Sequence, residues 1–429
     1  MKGTLEMNTL DYAIETNGLI KPYGSIHALK PLDLKVTRNS ICAFRLILCG
    51  ALLALMLTAC ASSASTSSTL TPTAAPQQPQ PPRIEEITFQ SGLFTLVGDL
   101  WLPPGPGPYP VILLNQGSGM DARTNRGFSP MLERMLQTGY AVFSWDKPGA
   151  GKSTGQLSDA RVLHERAQIL LDAIEVMKAR PDIDPHRIGL EGGSQAGYVM
   201  SLVLSTSQDI AFMICDSCPG MSGVDQSTYQ AMAMALCTGT PEGQADQRQE
   251  LLAELDAART YETYDAYVHY REVINALFGT ASNVPRGYGF EVVPEEAWRL
   301  NDPEHETWWD PMEVIRHTTI PVLVLLGDQD RRMDPLQAAY AWREALEEAG
   351  NPYSRMELFP NANHDLVVSE TGCPDDDLRW LEEYVKARGY ESLSAAMAAI
   401  QENPELMSQF PYAPGYLDLI EEWLRGLRR

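Results

Sequence analysis

The sequence predicts an α/β fold in which a mostly parallel central sheet is covered by helices on both faces and carries an inserted helical cap. The first observation is an alternation of short apolar runs with stretches of helical periodicity, which begins near residue 84 and is typical of parallel strands joined by helices. The second observation is an interruption, because residues 219–316 hold several helical stretches without that alternation. Ligands bind at the carboxyl ends of the strands in such sheets, so a helical insertion predicts a cap over the site.

The predicted elements follow one another along the chain. We expect a strand pair and then a series of buried strands, at 84–90, 93–102, 111–115, 141–145, 187–191, 211–215, 320–326 and 355–359. The predicted helices lie at 158–179, 195–204, 249–258, 264–278, 335–349 and 377–386. The last 40 residues also have helical character, and we expect them to pack on the body of the domain.

Composition limits the class of protein. Of the 429 residues, 44% are hydrophobic, which allows a sizeable core and argues against global disorder. The formal net charge of −23 argues against nucleic-acid binding, which uses a basic face. The length suggests one large domain or two small ones.

An uncharged apolar run at 46–57 predicts a signal peptide. It has the length of a signal-peptide core and is shorter than a membrane-spanning helix of about 20 residues. The next residues, Leu57-Thr58-Ala59-Cys60, resemble the bacterial lipobox, which implies that Cys60 is the first mature residue and carries the lipid. The tract that follows is rich in Ser, Thr, Pro and Gln and is typical of a tether.

These features predict how the chain is divided. We expect a lipoprotein signal peptide at 38–60, a flexible linker at 61–83, and one folded domain at 84–429 with its cap at about 219–316. The protein is then exported and held on a membrane of the bacterial cell envelope through its N-terminal lipid.

The segment before the signal peptide follows a different pattern. Residues 7–43 resemble the N-terminus of an ABC-transporter ATPase. No G-x-x-x-x-G-K-[ST] phosphate loop follows, since Gly149-Ala150-Gly151-Lys152-Ser153 lacks the first Gly at the required spacing. We therefore interpret residues 1–37 as a gene-fusion remnant or a misassigned start, and an ATPase is not expected.

Seven cysteines are present. Three lie in or beside the apolar N-terminal segment, and four fall in the folded part: Cys215, Cys218, Cys237 and Cys373. No second pair and no nearby His supports a metal or redox site at the Cys-x-x-Cys, so buried or incidental thiols are the favoured interpretation. An exported protein can also form disulfides, and the sequence leaves their pairing open.

A candidate nucleophile lies in Gly192-Gly193-Ser194-Gln195-Ala196-Gly197, between a predicted strand and a predicted helix. A strand-turn-helix is the context of a nucleophile elbow, in which a tight turn holds the serine out from the sheet edge and requires small neighbours. The common pattern is G-x-S-x-G, and here Ala196 takes the place of the last Gly.

A serine hydroxyl attacks well only when a base takes its proton, and the base is oriented by an acid. His364 follows the predicted strand 355–359 and is the candidate base, whereas His269, His305 and His317 fall in or beside the cap. The acid is expected after the strand at 320–326, where Gly327-Asp328-Gln329-Asp330 offers two carboxylates. Asp330 is favoured, and Asp328 is its nearest competitor.

The chain from about residue 87 to 386 resembles the α/β-hydrolase superfamily, in particular bacterial esterases and the serine aminopeptidase-like and dienelactone-hydrolase-like branches. Three ordered segments carry the resemblance besides the elbow: Gly98-Asp99-Leu100-Trp101-Leu102-Pro103, Gly117-Ser118-Gly119, and Asp146-Lys147-Pro148-Gly149-Ala150-Gly151-Lys152-Ser153. The resemblance implies an α/β-hydrolase fold with a Ser194, Asp330, His364 triad. It also implies an oxyanion hole made by the backbone N–H groups of Gln195 and Ser118, with Gln116 replacing the usual His of the loop.

The resemblance implies hydrolysis of a carboxylic ester of a small acyl substrate through an acyl-enzyme, with no metal and no organic cofactor. Three alternatives stay open: a peptidase or amidase with the same triad, a thioesterase, and a catalytically silent binding lipoprotein. A peptidase requires a group that holds the substrate's amino terminus. Acidic residues of the cap are candidates, although such a charge run is more often a solvated face: Glu291, Glu295, Glu296, Glu304 and Glu306.

Overall fold

The computed structural model describes parts of two compact units, Met1–Pro76 and Gln77–Arg429. In the first it describes the strands at 12–19, 22–23, 26–27 and 32–37. In the second it describes 81–119, 130–158, 161–237, 263–279, 309–373, 385–391 and 411–428, and single or paired residues at 246–247, 250–251, 254, 292, 294–295, 376 and 382–383. The predicted signal peptide, Cys60 and most of the predicted linker lie outside the described residues.

The described residues of the first unit form four strands. Strand β1 (Tyr12–Leu19) pairs antiparallel with β4 (Leu32–Thr37), and the short β2 (Pro22–Tyr23) pairs with β3 (Ile26–His27). The interpretation of residues 1–37 as a remnant or a misassigned start stays a prediction.

The second unit is built on an eight-stranded sheet. In chain order its strands are β5 (Arg83–Ser91), β6 (Phe94–Leu102), β7 (Tyr109–Asn115), β8 (Ala141–Trp145), β9 (Ile183–Gly193), β10 (Ile210–Asp216), β11 (Val322–Gly327) and β12 (Arg355–Phe359). Their order across the sheet is β12-β11-β10-β9-β7-β8-β6-β5. The pairs from β8 to β12 are parallel, and β5 and β6 join antiparallel. The carboxyl ends of β9, β10, β11 and β12 therefore lie at one edge.

Helices connect and cover these strands: α1 (Pro130–Gln137), α2 (Val162–Lys178), α3 (Ala196–Thr206), α4 (Gly223–Cys237), α5 (Tyr264–Gly279), α6 (Met312–Ile315), α7 (Pro335–Ala349) and α8 (Tyr416–Leu427). Of the predicted cap, the structure describes α4, α5 and α6. The predicted helices at 249–258 and 377–386 lie largely outside the described residues. No helix in the described part of the chain combines the length and the apolar character needed to cross a membrane.

Helix α7 shows how local sequence sets an element's limits. Asp334 caps its first turn by accepting hydrogen bonds from the backbone N–H groups of Leu336 and Gln337. Pro335 fits the first helical position, where its missing N–H has no partner to lose. Gly350 ends the helix in the left-handed conformation with φ 69°. The predicted bounds, 335–349, coincide with the observed ones.

The buried residues form two clusters, one on each face of the sheet. Alternate residues of β7 point to opposite faces, so Val111 and Leu113 belong to one cluster while Ile112 and Leu114 belong to the other. Residues of α2, α3 and α7 pack in the first cluster, and residues of α1 and α8 pack in the second. Helices thus cover both faces, which confirms the predicted α/β-hydrolase fold, and the C-terminal helix packs on the body of the domain.

The cysteines of the folded part correct the sequence analysis, which favoured thiols. Cys215 bonds to Cys218, and Cys237 bonds to Cys373. The Cα atoms of the two pairs lie 5.5 Å and 5.4 Å apart, within the range that a disulfide spans. The second pair is separated by 136 residues, so only the tertiary fold brings it together.

A stability prediction follows from Trp342 of α7. Its side chain is fully buried, and its indole Nε1 donates to the Cys218 carbonyl at 3.0 Å. Trp342→Ala removes both the packing and the hydrogen-bond donor, and is expected to lower the free energy of unfolding by about 3–5 kcal/mol, measured by urea denaturation. The exposed neighbour Arg343→Ala is the control, and we expect a change within about 0.5 kcal/mol there. An equal effect at the two positions would contradict the core assignment.

Candidate active site

Ser194 occupies a tight turn between the end of β9 and the start of α3. Its φ of 56° lies in the left-handed region, which is uncommon for a residue with a side chain. Two backbone hydrogen bonds hold the turn: Ser194 N–H donates to the Asp216 carbonyl at 3.0 Å, and Gly197 N–H donates to the Ser194 carbonyl at 2.9 Å. The strained backbone is thus fixed by its neighbours, as a nucleophile elbow requires.

The turn's small residues are required by close contacts. A Cβ on Gly192 would lie 2.5 Å from the Asn115 carbonyl oxygen and 2.6 Å from the Cβ of Ala196. A Cβ on Gly197 would lie 2.7 Å from the Cβ of Cys218. Ala196 is buried, and its methyl group faces Gly192, which has none. The elbow therefore accommodates Ala196 in place of the usual Gly.

Tyr416 of α8 supports the same turn from the C-terminal part of the chain. Its hydroxyl donates to Asp216 Oδ2 at 2.9 Å, while the Asp216 carbonyl takes the Ser194 N–H. Burial first, and then the charge of Asp216, raises the pKa of the Tyr416 phenol well above its usual value. The hydroxyl therefore keeps its proton and remains a donor. This contact was not predicted, because nothing in the local sequence links α8 to the elbow.

Asp330 and His364 form a buried acid–base pair. Asp330 follows β11, His364 follows β12, and the atoms His364 Nδ1 and Asp330 Oδ2 lie 2.6 Å apart. Asp330 is fully buried, and its Oδ1 accepts hydrogen bonds from the N–H groups of Arg332 (2.7 Å) and Met333 (3.0 Å). These bonds fix the carboxylate, which in turn orients the imidazole and leaves Nε2 on the opposite side of the ring.

The other candidates occupy different places. Asp328 accepts a hydrogen bond from Asn361 N–H at 2.6 Å, so it joins the loops after β11 and β12. His269 of α5 lies 3.2 Å from Glu254 and is half exposed. His317 lies just after α6, and its N–H donates to the Val314 carbonyl. His305 lies outside the described residues.

The loop after β7 lies beside Ser194. A Cβ on Gly117 would lie 3.6 Å from the Cβ of Ser194 and 3.4 Å from the Gly193 carbonyl oxygen. Ser118, the predicted second oxyanion donor, directly follows Gly117, whose backbone lies close to the Ser194 turn. Gln116 Nε2 donates to the Trp145 carbonyl at 2.9 Å. Gln116 thus ties the loop to the end of β8 and supports it in place of the usual His.

Helix α4 is fastened to the loop that carries the acid. Tyr229 Oη donates to the Asp330 carbonyl at 3.1 Å, and Gln226 Nε2 donates to the Arg332 carbonyl at 2.5 Å. Burial, with a further contribution from the Asp334 charge, raises the pKa of Tyr229 to about 12, so the phenol stays a donor. The disulfide from Cys237 to Cys373 joins the end of α4 to the chain that follows His364.

Two buried cations at the site, Arg166 and Lys147, were not predicted from the sequence. Both are 4% exposed. A signal for Arg166 was present, because it occupies the apolar stripe of α2 between Leu163 and Leu170, where a charge is unusual. Within the described residues, no group of three or more His, Cys, Asp or Glu is placed to hold a metal ion.

An elbow serine, a carboxylate–histidine pair and an adjacent glycine loop at one edge of this sheet define a serine hydrolase of the α/β-hydrolase fold. Residues 92–364, more than half of the chain, match the family described as X-Pro dipeptidyl-peptidase (S15 family). The chain belongs to that family. No curated protein sequence matches it at a significant level.

Solved structures are similar at low identity. An acylaminoacyl peptidase of Pyrococcus horikoshii is 16% identical with a TM-score of 0.41, over 66% of this chain and 38% of that one. An esterase of Pyrococcus furiosus is 15% identical with a TM-score of 0.41, over 71% of this chain and 90% of that one. A putative dipeptidyl aminopeptidase IV of Bacteroides ovatus is 16% identical with a TM-score of 0.40, over 69% of this chain and 35% of that one. The chain thus spans well under half the length of the first and third.

Proposed function

We propose that the chain hydrolyses carboxylic esters through an acyl-enzyme, with Ser194 as nucleophile, His364 as base and Asp330 as acid. The observation that carries the proposal is the 2.6 Å contact between His364 Nδ1 and Asp330 Oδ2 at the sheet edge where the Ser194 turn lies. An imidazole held by a carboxylate, at the same sheet edge as a partly buried serine in a tight turn, is the arrangement by which such a serine is activated as a nucleophile.

The reaction follows from these positions. Ser194 Oγ attacks the ester carbonyl while His364 Nε2 takes the hydroxyl proton, and Asp330 stabilises the imidazolium that forms. The N–H groups of Gln195 and Ser118 donate to the oxyanion of the tetrahedral intermediate. His364 then protonates the leaving alcohol, and a water molecule, deprotonated by His364, releases the acid from Ser194 in the second half.

A peptidase that removes dipeptides is the second candidate, and the family match favours it. The same residues can act on an amide, but an amine leaves less readily than an alcohol, and the substrate's amino terminus must be held. Glu295 is an exposed acidic residue of the predicted cap that the structure describes, whereas Glu291, Glu296, Glu304 and Glu306 lie outside the described residues. Ester hydrolysis places fewer demands on the site and is therefore our first proposal.

One substrate panel separates the two candidates. The purified full chain is assayed with p-nitrophenyl acetate, butyrate and octanoate, and with glycyl-prolyl and alanyl-prolyl p-nitroanilide. The proposal expects kcat/KM for the best ester to exceed that for the best anilide by more than about 100-fold, a difference of about 2.7 kcal/mol in transition-state binding. A preference for the anilides would support the peptidase instead. No turnover of either class would contradict both candidates and favour the silent binding protein.

We also propose that the chain is exported and anchored by a lipid on Cys60. The apolar run at 46–57, the residues Leu57-Thr58-Ala59-Cys60 and the tether that follows support this. Cys60→Ser is expected to abolish the incorporation of labelled palmitate in a bacterial host and to move the protein out of the membrane fraction. Cys49→Ser, within the same apolar run, is the matched control and should leave both unchanged. Equal labelling of the two variants would contradict the assignment.

A further inference from the structure

Arg166 lies where a charge is costly. It is on α2, it is 4% exposed, and it shares the buried side of that helix with Leu163 and Leu170. Burying an arginine costs several kcal/mol unless hydrogen bonds and opposite charges compensate. The acceptors of its hydrogen bonds therefore indicate which parts of the structure Arg166 positions.

The guanidinium group of Arg166 joins the two segments of the proposed oxyanion hole. Its Nη1 donates to Gln195 Oε1 at 2.5 Å, on the residue directly after Ser194. Its Nη2 donates to Asn115 Oδ1 at 3.3 Å and to the Gln116 carbonyl, at the start of the loop that carries Ser118. One rigid, planar group thus bridges both donor segments, and such a fork fixes direction as well as distance.

Lys147 holds the same loop through other carbonyls. Its Nζ donates to the Gly117 carbonyl at 2.5 Å and also donates to the Gly119 carbonyl. In a trans peptide the C=O of one residue and the N–H of the next point in opposite directions. The Gly117 carbonyl turns toward Lys147, so the N–H of Ser118 turns away from it. The two cations therefore determine which way the loop's amide groups face.

Oxyanion stabilisation depends on such orientation. A donor assists only when it lies about 2.7–3.1 Å from the position that the oxyanion takes, and losing one donor costs roughly 10²–10³-fold in kcat. The Gly117 loop has few side chains of its own to hold it, since Gly117 and Gly119 have none. Arg166 and Lys147, which lie outside the loop, hold its backbone carbonyls in place.

We propose that Arg166 is a positioning residue that holds the N–H groups of Gln195 and Ser118 in the orientation of one oxyanion hole. Lys147 fixes the same loop through the carbonyls of Gly117 and Gly119. Arg166 acts through Gln195 and Gln116 and does not touch the substrate. This inference rests on the proposed function, because it assigns a role within the same site. It predicts that Arg166 affects transition states with a developing oxyanion more than it affects substrate binding or folding.

The test uses the rate at which a fluorophosphonate labels Ser194 of the full chain, because this reaction also places a charged oxygen in the oxyanion hole and does not depend on the natural substrate. Arg166→Gln is expected to slow labelling, and ester kcat, by about 10- to 100-fold while KM stays within about threefold. Arg180→Gln is the matched control, because Arg180 is a partly buried arginine whose ion pairs with Glu85 and Asp182 lie elsewhere. We expect labelling within about threefold of the parent there, whatever happens to its melting temperature.

A second variant tests the same contact if Arg166→Gln folds poorly. Gln195→Leu removes the acceptor of Nη1 and keeps the backbone N–H, and is expected to slow labelling by about 10-fold. The double variant should be no slower than the slower single variant within about threefold, because Arg166→Gln already removes the contact that Gln195→Leu breaks. Unchanged labelling in Arg166→Gln and Gln195→Leu would overturn the inference, as would a loss that matches the fraction of unfolded protein. A parent chain that is not labelled at Ser194 would instead overturn the proposed function.

Discussion

Ser194→Ala is expected to lower kcat for the best substrate by about 10⁵-fold, with little change in KM. The expected effect is this large because removing the hydroxyl removes the nucleophile, and no acyl-enzyme can form. The site around it should survive, since the turn is held by backbone groups: Ser194 N–H to the Asp216 carbonyl, and Gly197 N–H to the Ser194 carbonyl. Steady-state kinetics on the purified variant, with circular dichroism to check folding, measures the effect.

The matched control for that variant is Ser205→Ala. Ser205 lies on α3, the helix that begins after the elbow, and its hydroxyl donates only to the Leu202 carbonyl among the contacts described for it. We expect its kcat to stay within about twofold of the parent, because exposed helical positions tolerate alanine. If Ser194→Ala retained the parent's activity, Ser194 would not be the nucleophile and the site assignment would be wrong.

Asp330→Asn is expected to lower kcat by about 10⁴-fold. The amide oxygen of Asn can still accept the hydrogen bonds of Arg332 N–H and Met333 N–H. Its NH₂ group, however, then faces His364 Nδ1, which must become the acceptor. The imidazole proton moves to Nε2, and a protonated Nε2 cannot take the proton of Ser194. The expected loss therefore comes from a wrong tautomer in a site of nearly unchanged shape.

Asp328→Asn is the control for this prediction, because Asp328 lies two residues away and was the competing candidate acid. It accepts a hydrogen bond from Asn361 N–H, which an asparagine oxygen also accepts. We expect kcat within about tenfold of the parent and a modest loss of stability at most. A larger loss for Asp328→Asn than for Asp330→Asn would exchange the two assignments. The melting temperature of both variants shows whether a loss of activity comes from the changed tautomer of His364 or from unfolding of the protein.

Much of the sheet could be predicted from the sequence because its buried strands are short apolar runs. The strand predicted at 187–191 is observed as β9, Ile183–Gly193. Pro185 and its neighbours carry turn-like signals, yet the strand begins at Ile183, which pairs with Tyr109 of β7. That pairing is a tertiary contact, and the local sequence pattern does not contain it.

In the candidate site, too, the residues with a local sequence signal could be predicted, whereas those that depend on tertiary contacts could not. Ser194, Asp330 and His364 could be chosen because each follows a strand, and the carboxyl ends of parallel strands share an edge. Arg166 was missed because its hydrogen-bond partners lie on other elements, which the local sequence does not bring together. The disulfide between Cys237 and Cys373 was missed because its two ends are 136 residues apart.

Covalent labelling of the full chain with a fluorophosphonate, followed by mass mapping of the modified peptide, tests directly whether Ser194 is the activated nucleophile. The reagent forms a bond between phosphorus and the nucleophilic oxygen as fluoride leaves, so it reports the activated serine without assuming a substrate. We expect one adduct per chain, on Ser194, and at least about a 10⁴-fold slower reaction in Asp330→Asn. An adduct on another residue, or no adduct on a folded chain, would contradict Ser194 as the nucleophile.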